Sequence, residues 1–368
     1  MVKSMTEEDN KRSIVPNPVE MVKHLNRYVI GQEHAKKTLS VAIYNHYKRV
    51  LCNMCGVSPD KSVDNVTIDK SNVLLAGHTG TGKTYTLKQI AKAMGFPCYI
   101  GDATKITESG YVGDDVETLV LGLLREADYD IEKAQTGIIV LDEIDKIGRK
   151  GENMSITRDV GGEGVQQGLL KIIEGGIVGV PPNGGRKHPE QRLIYVDTTN
   201  ILFIGMGAFD GLDEIVEHRL GGKTIGFGAK NEKNAANDGN VLSNVLPEDL
   251  KKFGLIPELI GRFPVFTYTN DLTCDDMVRI LKETDNSLVK QYQKLFLVDG
   301  VQLDITDGAL RVIAESAIRM KTGARGLRTI MESLLMDATY DMFTESGKTN
   351  IVISEEDAAE YCISKSAA

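Results

Sequence analysis

Gly77-His78-Thr79-Gly80-Thr81-Gly82-Lys83-Thr84 has the spacing G-x-x-x-x-G-K-T. Glycines at the first, fourth and sixth places let the backbone curl until several N–H groups face one anion. A lysine follows that can reach the outer phosphates of a nucleotide, and then a threonine whose hydroxyl can ligate Mg²⁺. Gly77, Thr79, Gly80, Thr81, Gly82, Lys83 and Thr84 are therefore the expected phosphate-binding residues. Further along, an apolar run at 137–141 ends in Asp142-Glu143. Asp142 suits Mg²⁺, held directly or through water, and Glu143 suits a water that must be oriented and polarised for attack. By itself the acidic pair reads as a solvated turn. Together with the glycine loop it completes a nucleotide-hydrolysis site. Arg262 in Gly-Arg-Phe and Arg325 in Gly-Ala-Arg-Gly could sense charge on a transferring phosphoryl group, one of them from a neighbouring subunit. Taken alone, each reads as a surface ion-pair residue.

These residues need elements to hold them. The short apolar run 72–76 predicts a buried strand ahead of the loop, and 83–94, free of Gly and Pro, predicts a helix after it. Further strands are expected at 97–101, 137–141 and 201–205, with helical stretches between. Such alternation implies a parallel sheet covered on both faces. Residues 114–127 carry Val116, Leu119, Val120, Leu123, Leu124 and Ala127 on one face of an amphipathic helix. Helical periodicity over 19–51 breaks at Val29-Ile30-Gly31-Gln32, and 56–70 reads as a polar surface loop. The Gly-, Asn- and Lys-rich stretch 221–240 reads as a long mobile loop. From about residue 271 a second unit is expected, with helices over 277–292, 307–320 and 326–340 and a strand over 350–354. The fold class is α/β: a P-loop NTPase large domain with a parallel sheet flanked by helices, then a smaller, mostly helical α+β domain. The expected division is a flexible arm over 1–18, a nucleotide-binding domain over 19–269 and a small domain over 270–368.

Composition narrows the classes. The chain has 368 residues, 41% hydrophobic and 26% charged, with a net charge of −9. That balance disfavours general nucleic-acid binding, which needs clustered Lys and Arg. No apolar run approaches the roughly 20 residues that span a bilayer, and 1–10 lacks a signal-peptide core. No membrane partner and a cytoplasmic, or equivalent reducing, compartment are the expectation. Cys52 and Cys55, two of five cysteines, form a lone C-x-x-C with no second pair at zinc spacing, and read as thiols near a helix end. No Ser-His-Asp or His-Glu-x-x-His pattern marks the chain as a protease itself.

Several segments outside the hydrolytic set also carry chemistry. Gly110-Tyr111-Val112-Gly113 places an aromatic and a β-branched residue between glycines. Tyrosine there is either an ordinary core residue at a turn or a mobile apolar face that grips extended backbone. Residues 155–167 are polar and glycine-rich. Arg186-Lys187-His188 is a solvated charge run or an attractor for negative groups. Ile225-Gly226-Phe227 sets apolar side chains inside the polar loop, where they need a partner's pocket or their own domain to cover them.

With these motifs the chain resembles the ClpX family, AAA+ protein-unfolding subunits that work with the ClpP peptidase. The likeness runs from about Tyr28 to Tyr340. It includes Val29-Ile30-Gly31-Gln32, Gly110-Tyr111-Val112-Gly113, Asp142-Glu143-Ile144-Asp145-Lys146, the Ile225-Gly226-Phe227 tripeptide and the stretches around Arg262 and Arg325. Resemblance implies ATP, with Mg²⁺, as cofactor, and unfolding and threading of protein substrates by a homohexameric ring that delivers them to a ClpP-type peptidase. The alternative is a free-standing remodelling chaperone. It implies that Val29 and Ile30 pack near the adenine, that Arg262 is a finger acting on a neighbour's site, and that Arg325 is the small-domain sensor. Tyr111 and Val112 would form a first pore loop, Arg158 and Val160 a second, and Arg186, Lys187 and His188 the basic loop at the pore entrance. Ile225, Gly226 and Phe227 would dock on the peptidase. Three departures stand out. His78 replaces the family's usual proline. No four-cysteine cluster precedes Val19, so the family's amino-terminal zinc-binding domain is not expected. Gly205-Met206-Gly207 offers no polar sensor, and Thr199 and Asn200 sit at the wrong end of their strand.

Overall fold

A computed structural model describes residues 16–55, 62, 66–107, 115–148, 162–182, 192–221, 240–344 and 349–366. The chain divides into two compact units, one of residues 1–21, 34–77 and 90–268, the other of 22–33, 78–89 and 269–368.

The first unit is built on five parallel strands: β1 (Val73–Ala76), β2 (Cys98–Asp102), β3 (Ile138–Asp142), β6 (Leu202–Gly207) and β7 (Val265–Tyr268), in the order β2-β3-β6-β1-β7. The three central strands are apolar and buried almost throughout, as a sheet covered on both faces requires. Helix Glu117–Glu126 buries Leu119, Val120, Leu123 and Leu124 in the same core as Ile139 and Leu141 of β3. Asn72 fixes the amino edge of the sheet. Its Oδ1 accepts the Phe203 N–H at 3.0 Å, its Nδ2 donates to the Arg262 carbonyl at 2.8 Å, and its own carbonyl accepts the Val265 N–H at 3.4 Å. One amide thus ties β1 to both neighbours.

Two strands of this sheet lie within a residue or two of the expected 97–101 and 201–205. β7 and the antiparallel hairpin of β4 (Ile177–Val180) and β5 (Ile194–Asp197) were not expected. These are four-residue strands without a long apolar run, and at that length periodicity carries little signal. The expected break between two amino-terminal helices is present. Pro18–Asn26 and Glu33–Cys55 are separated by a turn in which Gly31 and Gln32 both take positive φ, 63° and 61°.

The second unit packs helices Cys274–Lys282, Leu288–Val298, Asp307–Arg319, Ala324–Thr344 and Glu355–Ser366 around a parallel pair, β8 (Gln302–Ile305) and β9 (Asn350–Ile353). Leu281, Phe296, Leu310, Ile313, Met331 and Ile353 form its core. The single helix expected over 277–292 is two. The chain leaves the helix after Lys282 and Ser287 caps a new one, accepting the Lys290 N–H at 3.4 Å. Asp285-Asn286-Ser287 are residues whose short polar side chains compete with helical bonding. Asp285 is held in the break by Arg27, through an ion pair of 2.6 Å and its own N–H to the Arg27 carbonyl at 2.8 Å.

Candidate nucleotide-hydrolysis site

Because the strands are parallel, their carboxyl ends lie on one edge. Asp142 ends β3, Gly207 ends β6, and Ala76 ends β1 and leads into Gly77, with β6 between the other two. The open edge at the carboxyl ends is where doubly wound sheets bind ligands. Asp142 is half-buried, and its Oδ1 accepts the Glu143 N–H at 2.9 Å. Glu143 is exposed and takes a left-handed backbone, φ 57° and ψ 33°. That conformation turns the chain sharply off the strand. The following turn, Ile144–Ile147, is anchored by apolar burial of Ile144 and Ile147 and by the Lys146 N–H to the Glu143 carbonyl at 2.9 Å. Asp145, within that turn, is buried. Its Oδ2 pairs with Lys146 Nζ at 3.0 Å and accepts the Phe209 N–H at 3.4 Å. The hydrogen bond that Lys146 donates to Asp145 is the largest influence holding the Lys146 pKa above its ordinary value.

Arg262 follows the short helix Pro257–Gly261 and is exposed; its guanidinium grips Glu174, with Nη2–Oε1 at 2.6 Å and Nε–Oε1 at 3.0 Å. Fully buried Gln166 connects this region to the acidic turn. Its Nε2 donates to the Ile147 carbonyl at 2.9 Å and the Gly254 carbonyl at 3.2 Å, while its Oε1 accepts the Ile256 N–H at 2.8 Å.

The phosphate loop from His78 onward lies in the second unit. Gly80 and Gly82 take φ of 85° and 94°, curling the chain into helix Lys83–Met94, whose first turn carries no acidic residue. A helix start of this kind, with no acidic residue in its first turn, fits an anion such as a nucleotide's phosphates. Lys83 Nζ donates to the His78 carbonyl at 2.9 Å, and the Thr81 hydroxyl to the same carbonyl at 2.9 Å. The loop is tied to residues 269–271. Thr81 and Thr269 hydroxyls are 2.7 Å apart, and His78 Nδ1 meets Asp271 Oδ1 at 2.8 Å. Gln32 bridges the Thr81 and Asn270 carbonyls at 3.4 and 2.7 Å, and Val29 and Ile30 just before it are buried. The turn before helix Ala324–Thr344 also meets the loop: the Ala324 N–H donates to the Gly80 carbonyl at 3.0 Å. The fit leaves no space for a side chain at Gly80, where a Cβ would strike the Thr322 carbonyl oxygen and stand 2.8 Å from Gly323 Cα. Arg325 is exposed next to this contact.

Within the first unit, then, Gly77, Asp142 and Glu143 share one edge of the sheet. Within the second, Val29, Ile30, Thr79, Gly80, Thr81, Gly82, Lys83, Thr84 and Arg325 occur, with the phosphate loop bonded to the turn ahead of Arg325. Tyr111, Val112, Arg158, Val160, Arg186, Lys187, His188, Ile225, Gly226 and Phe227 lie outside the described residues. Cys52 lies near the end of helix Glu33–Cys55, and among the described residues no three His, Cys, Asp or Glu side chains converge as metal ligands. No described helix is long and apolar enough to cross a membrane. Sequence reasoning missed Gln166, Asp145 and Asn72. Only the placement of a polar residue among apolar neighbours could have pointed to the first, and nothing in the sequence says which backbone groups it would satisfy.

Comparison with known proteins agrees with this geometry. The family model of the AAA domain (Cdc48 subfamily) matches residues 68–266, and that of the C-terminal, D2-small domain of ClpB protein matches 272–352. ATP-dependent Clp protease ATP-binding subunit ClpX from Porphyromonas gingivalis is 48% identical over 360 residues, 97% of this chain and 85% of the relative. The subunit of the same name from Treponema denticola is 52% identical over 348 residues, 94% of this chain and 82% of the relative. That from Bacteroides thetaiotaomicron is 50% identical over 334 residues, 91% and 79%. An ATPase sheet edge, a glycine loop bonded to a small helical unit, and identity of this extent along nearly the whole chain lead to one assignment: the chain belongs to the ClpX family of AAA+ ATPases.

Proposed function

We propose that this ATPase unfolds protein substrates and threads them through the pore of a homohexamer into a ClpP-type peptidase. The observation that carries the reading is the near full-length identity with subunits named for the Clp protease. Residues 19–269 form the nucleotide-binding domain and 270–368 the small domain, after an arm over 1–18. Lys83 and the loop N–H groups of Thr79–Thr84 bind the phosphates of ATP, Val29 and Ile30 line the adenine side, and Thr84 and Asp142 hold Mg²⁺. There the ion would neutralise negative charge as it develops on the phosphates. For binding, Lys83 must exchange the His78 carbonyl for phosphate. Glu143 orients the water and takes up its proton. Arg262 exchanges Glu174 for a neighbour's γ-phosphate, and Arg325 reports nucleotide state to the small domain.

Tyr111 and Val112, with Arg158 and Val160, grip the substrate in the pore, and Arg186, Lys187 and His188 attract its negative groups at the entrance. Ile225, Gly226 and Phe227 dock on the peptidase. The protein works in the cytoplasm or an equivalent reducing compartment, without membrane or direct nucleic-acid partners. Mixing it with ATP, a ClpP-type peptidase and a tagged fluorescent protein tests this reading. ATP-dependent loss of fluorescence with fragmentation is expected. Loss without fragmentation selects a free-standing remodelling chaperone, and no loss rejects unfolding of this substrate class.

A further inference from the structure

Gly207 ends the strand that lies between β1 and β3, level with Ala76 and next to the strand of Asp142. On this edge it stands between the strand that leads into Gly77 and the strand that ends in Asp142, and glycine offers no polar side chain there. The space is occupied instead. A Cβ on Gly207 would fall on Asp145 Oδ1 and lie 2.7 Å from Asp145 Cγ. The Asp145 side chain is only 1% exposed, and its Oδ1 has no hydrogen-bond partner among the described residues. Oδ2 is fully used, by Lys146 Nζ at 3.0 Å and by the Phe209 N–H at 3.4 Å just beyond β6. Lys146 reaches on to Asp210 at 3.4 Å. One carboxylate therefore fastens the turn that carries Glu143 to the end of the neighbouring strand.

We propose that Asp145 is a positioning residue for hydrolysis, which holds the Glu143 turn against the end of β6 and takes the place of the polar side chain that Gly207 lacks. Stability alone does not account for it. A buried carboxylate with one oxygen unpartnered costs more than an uncharged group of the same shape. The left-handed backbone of Glu143 persists only where its surroundings enforce it, and Asp145 lies in the short turn that follows it. The proposal rests on Glu143 being the water-orienting residue.

The test compares the 368-residue wild-type chain with Asp145→Asn, Glu143→Gln and Gly207→Ala. It reads ATPase kcat and KM, affinity for a fluorescent ADP analogue, and the thermal midpoint. Asp145→Asn keeps the shape and removes the charge. It should lower kcat tenfold or more while nucleotide affinity stays within about twofold and the thermal midpoint does not fall. Gly207→Ala, whose methyl displaces the carboxylate, should reproduce the kcat loss, and decides the matter if Asp145→Asn does not fold. A kcat within twofold of wild type in the folded variant overturns the positioning role. Glu143→Gln separates the two failures. If it is inactive while Asp145→Asn is normal, only the positioning role fails; if it turns over normally, the reading beneath fails and takes the proposal with it.

Discussion

Glu143 combines an exposed carboxylate with a backbone conformation that an L-residue adopts at a cost of about 1–2 kcal/mol. Such a cost is tolerated where direction matters, and here the direction is away from the sheet edge at the end of β3. The residue's own N–H is already taken by Asp142 Oδ1, so the two acids are held relative to each other before any ligand binds. Replacement by glutamine preserves size and backbone preference and removes only the ability to accept a proton. Glu143→Gln should therefore bind ATP within about threefold of wild type and lose roughly 10²–10⁴ in turnover, the range for a positioned general base. Equilibrium binding with a fluorescent nucleotide and a phosphate-release assay measure the two separately. Turnover within tenfold of wild type would refute the role. His78 receives a structural account at the same scale. The pair with Asp271 at 2.8 Å is exposed and worth little by itself, but it adds a side-chain tie between the phosphate loop and residues 269–271 that a proline could not make.

Among the elements, the acidic turn, helix Glu163–Ile173 and the segment leading to Arg262 meet at Gln166, whose amide satisfies three backbone groups in two buried hydrogen bonds and one partly buried. Gln166→Leu fills nearly the same volume and leaves the Ile256 N–H and the Ile147 and Gly254 carbonyls without this partner. A loss of about 2–4 kcal/mol is expected, since an unsatisfied buried group costs about 1–3 kcal/mol. Gln167→Leu, one residue on and exposed, should be within about 0.5 kcal/mol of wild type. Urea denaturation of the two variants checks the difference, and equal midpoints would show that the buried amide is dispensable. This junction also marks how far the sequence could be read. β1, β3 and helix Lys83–Met94 were legible because each combines an apolar pattern with a chemical motif at its end. The helix break at 283–287 was not, because Leu281, Leu288 and Val289 keep an apolar rhythm across it while Ser287 and the Arg27–Asp285 pair decide the local conformation. β7 and β8 were missed for a related reason: four residues give no period, and pairing with a distant strand makes them strands. Spacing alone draws attention to Asp142 and Glu143. Asp145 could not be singled out this way, because the contact that draws attention to it is with a glycine on another strand.

Across the whole molecule, net charge says little about stability, whereas a few buried titratable groups say more. His46, in helix Glu33–Cys55, is buried, and its Nε2 has no hydrogen-bond partner among the described residues. Burial first, then the charges of Arg49 and Lys70, lower its pKa from 6.5 to about 3, against the opposing pull of a hydrogen bond to the Thr136 backbone. The folded chain thus keeps the imidazole neutral down to about pH 3, while the unfolded chain takes up a proton below 6.5. Above pH 6.5 neither state binds the proton, and the contribution of His46 is fully present; as the pH falls from 6.5 toward 3 it is lost. Each pH unit inside that window removes roughly 1.4 kcal/mol, and the whole window about 5 kcal/mol. Lys70 acts in the same sense at higher pH. Burial first and Arg49 second lower its pKa from 10.5 to about 7, so its stability contribution grows from pH 7 to 10.5 and is lost as the pH falls back to 7. Carboxylate protonation adds its own acid destabilisation, so wild type alone cannot isolate His46, but a comparison can. His46→Gln removes the titration and keeps a hydrogen-bonding side chain. Urea unfolding followed by circular dichroism at pH 7, 6, 5 and 4 should give a wild type that loses ground to His46→Gln steadily below pH 6. The gap between the two curves should widen by about 1 kcal/mol or more per unit. Parallel curves across that range would mean that the imidazole is protonated in the folded chain, and that Arg49 and Lys70 do not keep it neutral.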